Sequence, residues 1–166
     1  MRAVQLNKSP RPVPARIISG GQTGADRAAL DWAIAVGIEH GGWCPKGRLA
    51  ADGPLHPRYR LDETESAGYR QRTKRNVADT DATLILNTGP LDGGTLQTQR
   101  FALTLHKPHL LLQLDDADSP QAGAQALREW LLLVQPVSLN VAGPREEKRP
   151  GIYALSLALL ELAFGS

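Results

Sequence analysis

The residues of this 166-residue chain best suited to chemistry are three glycine clusters. Gly20-Gly21-Gln22-Thr23-Gly24-Ala25-Asp26 frees backbone N–H groups to point at an anion, and the helix that follows adds the partial positive charge of its N-terminus. Phosphate is the natural guest. The cluster has neither the Gly-Lys-Ser/Thr ending of a Walker loop nor the Gly-x-Gly-x-x-Gly dinucleotide fingerprint. A structural glycine turn with Thr23 as helix cap accounts for it equally well, leaving Asp26 and Arg27 as a dipole-favouring acid and a surface base. Gly93-Gly94-Thr95 repeats the arrangement, with Asn87 as a donor–acceptor at the tip of the preceding strand. Gly143-Pro144-Arg145 adds a third loop, in which Arg145 either closes on the anion or stands on the surface beside Glu146 and Glu147.

Other reactive residues are sparse. Lys46 follows Trp43-Cys44-Pro45, which sets a flat ring, a thiol and an ammonium side by side. Cys44 is the single cysteine, so there is no disulfide framework or cysteine cluster, and a reducing, cytoplasmic setting is expected. No histidine is fixed beside it by a motif, so a nucleophilic role is not expected. His40, His56, His106 and His109 lack metal-ligand spacing, and no structural metal is expected. Residues 46–75 hold eight basic side chains against four acids, Arg72 among them, and Asn76 follows directly. Arginine forks suit phosphate and carboxylate groups.

Composition sets limits on partners. A net charge of +2 is too small for a general polyanion binder, and eight aromatic residues are too few for base-stacking platforms. Nucleic acid is therefore not the expected partner, although the arginine-rich 58–75 segment keeps that reading open. No apolar run approaches the roughly 20 residues of a membrane span.

The elements that must position these residues follow from apolar patterning. A short apolar run at 15–19 leads into the first glycine loop, and Ala28, Ala29, Trp32, Ala33 and Val36 then recur at helical spacing up to Gly37. A brief strand is expected near 38–43, then a long irregular loop to about residue 60. A cationic helix over 69–78 precedes Ala82-Thr-Leu-Ile-Leu-Asn87, which reads as a strand buried on both faces. The second glycine loop and a helix to about His106 follow. Further strands at 108–114 and 137–142 flank a helix over 120–134, and a terminal helix begins near Pro150. Alternating strands and helices predict a single Rossmann-like α/β domain over 15–166, with a mostly parallel sheet and helices on both faces, preceded by a flexible arm at 1–14. Right-handed crossovers then gather the three glycine loops at the carboxyl edge of the sheet.

The terminal helix carries two apolar stripes, Ile152, Leu155, Leu159, Leu162 and Tyr153, Leu157, Leu160, Phe164. One stripe can face the sheet. The other predicts a homo-oligomer that buries it, unless the chain's own arm covers it.

Seven segments then carry a resemblance. They are Ile-Ile-Ser-Gly-Gly-Gln-Thr-Gly-Ala-Asp-Arg-Ala-Ala-Leu-Asp (17–31), His-Gly-Gly-Trp-Cys-Pro-Lys-Gly (40–47), Asp-Gly-Pro (52–54), Arg-Thr-Lys-Arg-Asn-Val (72–77), Asp-Ala-Thr-Leu-Ile-Leu (81–86), Gly-Gly-Thr (93–95) and Leu-Asn-Val-Ala-Gly-Pro-Arg (139–145). In kind and order they resemble the molybdenum cofactor carrier family, described also as circularly permuted relatives of the YpsA proteins, with wider kinship to LOG phosphoribohydrolases and DprA proteins. The resemblance implies a rim pocket for a phosphorylated nucleotide-like or pterin-like ligand, with molybdenum cofactor as a candidate. Gly20, Gly21, Gln22, Thr23, Gly24, Asp26, Asn87, Gly93, Gly94 and Thr95 are then the expected ligand-binding loops, and Lys46, Arg72, Asn76 and Arg145 the closing groups. The alternative is a LOG-like hydrolase of nucleoside 5′-monophosphates. LOG-type hydrolases carry acidic side chains within three residues of their Gly-Thr, where this chain has Gln97 and Thr98, neither an acid nor a base. Binding is favoured over hydrolysis.

Overall fold

The computed structural model describes residues 13–115 and 120–165. The arm expected at 1–14 therefore lies outside the described residues, apart from Val13 and Pro14. Five parallel strands form the central sheet: β1 (Arg16–Ile18), β2 (Glu39–Gly41), β7 (Ala82–Asn87), β8 (His109–Gln113) and β9 (Ser138–Ala142), in the order β2-β1-β9-β7-β8. The chain steps outward from β1 to β2, restarts at β7 and steps outward again to β8. It then returns to lay β9 in the middle. The carboxyl ends of β1, β9 and β7 are thus neighbours, and this is where open α/β sheets form their crevices.

Helices cover both faces, as an α/β sheet buried on two sides requires. Along β7 the side chains alternate: Ala82, Leu84 and Leu86 enter the main core with Ile17, Leu139 and Val141, while Thr83, Ile85 and Asn87 face the other way. The main core is closed by α1 (Ala25–Val36), α4 (Pro120–Val134) and α5 (Ile152–Phe164), with α5 packed between the other two. On the opposite face α2 (Tyr69–Ala78) and α3 (Gly93–Thr104) pack on each other through Val77, Phe101 and Ala102. That contact is small, and it leaves the rim end of this face open.

Two expectations need correction. The stretch expected as an irregular loop to about residue 60 is ordered around its own core of Cys44, Ala50, Leu55, Tyr59 and Leu61 against Leu30 of α1. Within it β3 (Trp43–Cys44) pairs in parallel with β6 (Asp62–Glu63), and β4 (Leu49–Ala50) pairs antiparallel with β5 (Gly53–Pro54). Two-residue strands carry no readable alternation. The carboxylate of Asp31 pins this excursion to the domain: it accepts from Tyr59 Oη and Tyr153 Oη, each at 2.6 Å, and from Arg58 at 2.8 Å.

The terminal helix is the second correction. It starts at Ile152 after Gly151, which is in the left-handed region at φ 95°, so Pro150 lies outside its first turn. Its two stripes do not divide into inside and outside. Ile152, Leu159, Leu160 and Ala163 are buried, Phe164 stacks on Trp32 at 4.9 Å, and Leu155 and Leu162 remain 42% and 41% exposed. A helix seated between two others draws buried residues from both stripes.

Candidate functional site

Each of the three central strands runs into a loop and then toward a helix N-terminus, whose first N–H groups have no partner inside the helix. What fills those positions differs between the three. After β1 the amides of the loop before α1 are satisfied within the chain, while of the first three N–H groups of α1 itself only Ala25 has an acceptor among the described residues, the Pro144 carbonyl at 3.4 Å. Gly21 N–H donates to Ser19 Oγ at 3.2 Å, Gln22 N–H to Asp26 Oδ2 at 3.3 Å, and Thr23 N–H to Gln22 Oε1 at 2.9 Å. The residue capping α1 is Gly24, at φ 86°, where an added Cβ would run into the Pro144 carbonyl and the Glu146 nitrogen. Thr23 is therefore not the cap; its hydroxyl donates to Glu147 Oε2 at 2.6 Å.

The third loop, after β9, passes close to β7 because Gly143 has no side chain: a Cβ there would strike the Leu86 carbonyl and Ala25. Its helix end is also filled. Glu146 accepts from Gly151 N–H at 2.6 Å and from Tyr153 N–H at 2.9 Å, capping α5 with a carboxylate.

The end of α3 is different. Asp92 holds the cap position in extended conformation but makes no side-chain cap bond. Its carboxylate turns to Lys148 Nζ at 2.6 Å and Arg149 at 3.4 Å, and the Lys148 ammonium, then Arg149, hold its carboxyl below the usual range. The first intrahelical acceptor bond is Leu96 N–H to the Asp92 carbonyl, so Gly93, Gly94 and Thr95 N–H groups find no acceptor among the described residues.

Of these, Gly94 and Thr95 line a cleft of about 140 Å³ between α2 and α3, above the ends of β1 and β9. Of the residues expected at the site, Gly20, Gln22, Asp26, Arg72, Asn76, Gly94, Thr95 and Arg145 line it. Gly21, Thr23, Gly24, Lys46, Asn87 and Gly93 do not. Lys46 lies in the excursion, its N–H bonded to the Ser66 carbonyl, and Asn87 ties the tip of β7 to Gly89 and Gln113. Asn76 reaches the cleft mainly as a brace, accepting from Trp43 N–H at 2.7 Å and donating to the Trp43 carbonyl at 3.0 Å.

Sequence reading missed Tyr69, Thr73, Asn140 and Lys148 as lining residues, and Gln97 and Thr98 line the cleft as well. Asn140 had a signal. It is a polar residue inside the apolar run of β9, 3% exposed, and donates to Thr83 Oγ1 at 3.3 Å on the α2/α3 face.

The electrostatics are mixed. Arg72 is buried, donates to the Gly20 carbonyl at 2.8 Å and stands 3.5 Å from Asp26 Oδ2. Burial pushes the Asp26 carboxyl up to about 6, against the opposing pull of Arg72 and of the Gln22 and Gly143 backbone. Arg145 lines the cleft with no ion pair among the described residues. Burial also pushes the Cys44 thiol up, the opposite of an activated nucleophile. Among the described residues no three His, Cys, Asp or Glu side chains gather as a metal site, and no helix is long and apolar enough to cross a membrane.

A parallel sheet with reversed strand order, helices on both faces and a polar cleft at its carboxyl rim defines a Rossmann-like α/β protein. The chain belongs to the Circularly permutated YpsA SLOG family, whose sequence model matches residues 17–164. It is also similar to a solved structure from Syntrophus aciditrophicus SB, named "Putative molybdenum carrier protein", with 46% identity and a TM-score of 0.89 over 93% of this chain and 97% of that one. No curated protein matches the chain.

Proposed function

We propose that this protein binds a phosphorylated, ring-bearing ligand of nucleotide or pterin type in the rim cleft, as a carrier or sensor, with the phosphate at the N-terminus of α3. One observation supports the reading: Glu146 fills the end of α5, while at the end of α3 the Gly94 and Thr95 N–H groups have no acceptor among the described residues and stand in a cleft that Lys148 and Arg145 also line. An anion there meets backbone N–H groups, a helix dipole and two cations together. The similar protein's name, a molybdenum carrier, makes molybdenum cofactor a candidate cargo, since that cargo is a pterin bearing a phosphate. A reducing cytoplasmic setting accompanies this reading through the lone, buried Cys44. So does a homo-oligomer, supported by the apolar surface that α4 and α5 leave exposed.

Calorimetric titration with inorganic phosphate, AMP and GMP at low salt tests the site. Gly94 has a negative φ and nothing within 4 Å of an added Cβ, so Gly94→Asp should fold normally while setting a negative charge among the phosphate donors. Binding should fall by an order of magnitude or more. A variant that binds all three as well as the parent would overturn the site.

Hydrolysis remains a second reading on one observation, the protonatable Asp26 in the cleft. Free adenine appearing in the AMP samples, and disappearing with Asp26→Asn, would favour it over carriage.

A further inference from the structure

The cleft contains an anionic group that phosphate binding does not need. Asp26 sits in the first turn of α1 with its side chain only 7% exposed, yet it lines the cleft. Its Oδ2 accepts from Gln22 N–H and lies beside Arg72, whose guanidinium is itself anchored to the Gly20 carbonyl. The Gly143 backbone also holds the carboxylate, and among the described residues no side chain donates to Oδ1. A buried carboxylate is costly unless something uses its remaining acceptor positions. β1 and β7, the strands that lead to α1 and α3, are two strand spacings apart, about 10 Å, and Asp26 lines the same cleft as Gly94 and Thr95, so one elongated ligand would reach both.

Resting on the assignment of phosphate to α3, we propose that Asp26 is the specificity-determining residue for the ring: it selects a heterocycle that presents two adjacent N–H donors, the ring N–H and 2-amino group that guanine and pterins share. An ionised carboxylate has only acceptors, so it pairs side by side with two N–H groups and repels a ring nitrogen lone pair such as N1 of adenine. The groups facing it are Arg27 on its own helix, Arg72 from α2, the backbone of Gln22 and Gly143, and Arg145 and Lys148 in the same cleft. With its carboxyl at about 6, Asp26 is ionised at pH 7.5 and mostly protonated at pH 5. Protonated, it can donate to adenine N1 and loses its preference.

Calorimetry of the full chain with GMP, IMP and AMP at pH 7.5 tests this directly. GMP should bind at least about fivefold tighter than AMP, the scale of a bidentate base contact. IMP, which keeps the ring N–H and lacks the 2-amino group, should fall between. The GMP/AMP ratio should approach one in Asp26→Asn and in the parent at pH 5, the shared phosphate titration cancelling in the ratio. The parent series needs no variant, so a misfolded Asp26→Asn does not blunt the test. Equal binding of GMP and AMP, or tighter AMP, overturns the role of Asp26 and leaves the phosphate site standing. No binding of any of the three overturns both.

Discussion

Asp26 and Gly94 occupy the same cleft and show opposite ways of meeting a helix end. In the first turn of α1 Asp26 supplies a negative charge from within the chain; at Gly94 no carboxylate among the described residues caps the helix. The cost of the first solution is measurable. Asp26 holds its proton more tightly folded than unfolded, where its value is near 3.8, so the native state binds more protons between the two values and stability falls as pH rises from 3.8 through 6. Ionised Asp26 therefore costs up to about 3 kcal/mol at pH 7.5. Asp26→Asn should gain on the parent in urea unfolding as pH is raised from 4 to 7.5, and parallel curves for the two proteins would contradict this. At this scale the glycine clusters were legible in the sequence, while their occupancy was not. Which amides are spent on Ser19 Oγ, Gln22 Oε1 or Glu146 depends on side-chain directions that spacing leaves open.

Helices and strands of ordinary length were legible because their apolar periods are long enough to read. The helix over 69–78 and the strand over 82–87 fall where patterning put them. The failures have a common physical origin: β3 to β6 are two residues each, and their order comes from the small core around Cys44 and Leu55, which is made by contacts distant in sequence. Glu146 acts at this scale as the element that lets α5 begin after a left-handed glycine. Glu146→Ala removes both of its bonds to the Gly151 and Tyr153 N–H groups and should cost about 1 kcal/mol, within the range of 0.5–2 for lost caps, in denaturant unfolding at constant m. An unchanged midpoint would mean that water replaces the carboxylate without loss.

For the whole molecule, the apolar surface of the α4–α5 layer bears on assembly. Leu132 and Leu133 on α4 are 57% and 83% exposed, beyond the partly covered Leu155 and Leu162 of α5. Apolar exposure thus occurs on α4 as well as on the terminal helix where the stripe was expected, and exposed apolar surface of this kind favours self-association. Light scattering at micromolar concentration should report a mass above 17.9 kDa, and Leu133→Glu should return it to the monomer value. A monomeric parent would remove oligomerisation from the proposed function.

The brace made by Asn76 has one more consequence. Its residue lines the cleft, and its amide grips both backbone groups of Trp43, whose indole donates to Asp79 Oδ2 at 2.8 Å and lies under Arg75 at 4.6 Å. An indole held between a carboxylate and a guanidinium emits in the field of both, so its emission should change if GMP entering the cleft moves Asn76, which a fluorescence titration would read. Trp32, sealed against Phe164, and Trp130 both pack with the main core, away from this brace. The fold has thus placed a native fluorophore one residue from its cleft, where it is expected to report filling of the cleft without a label.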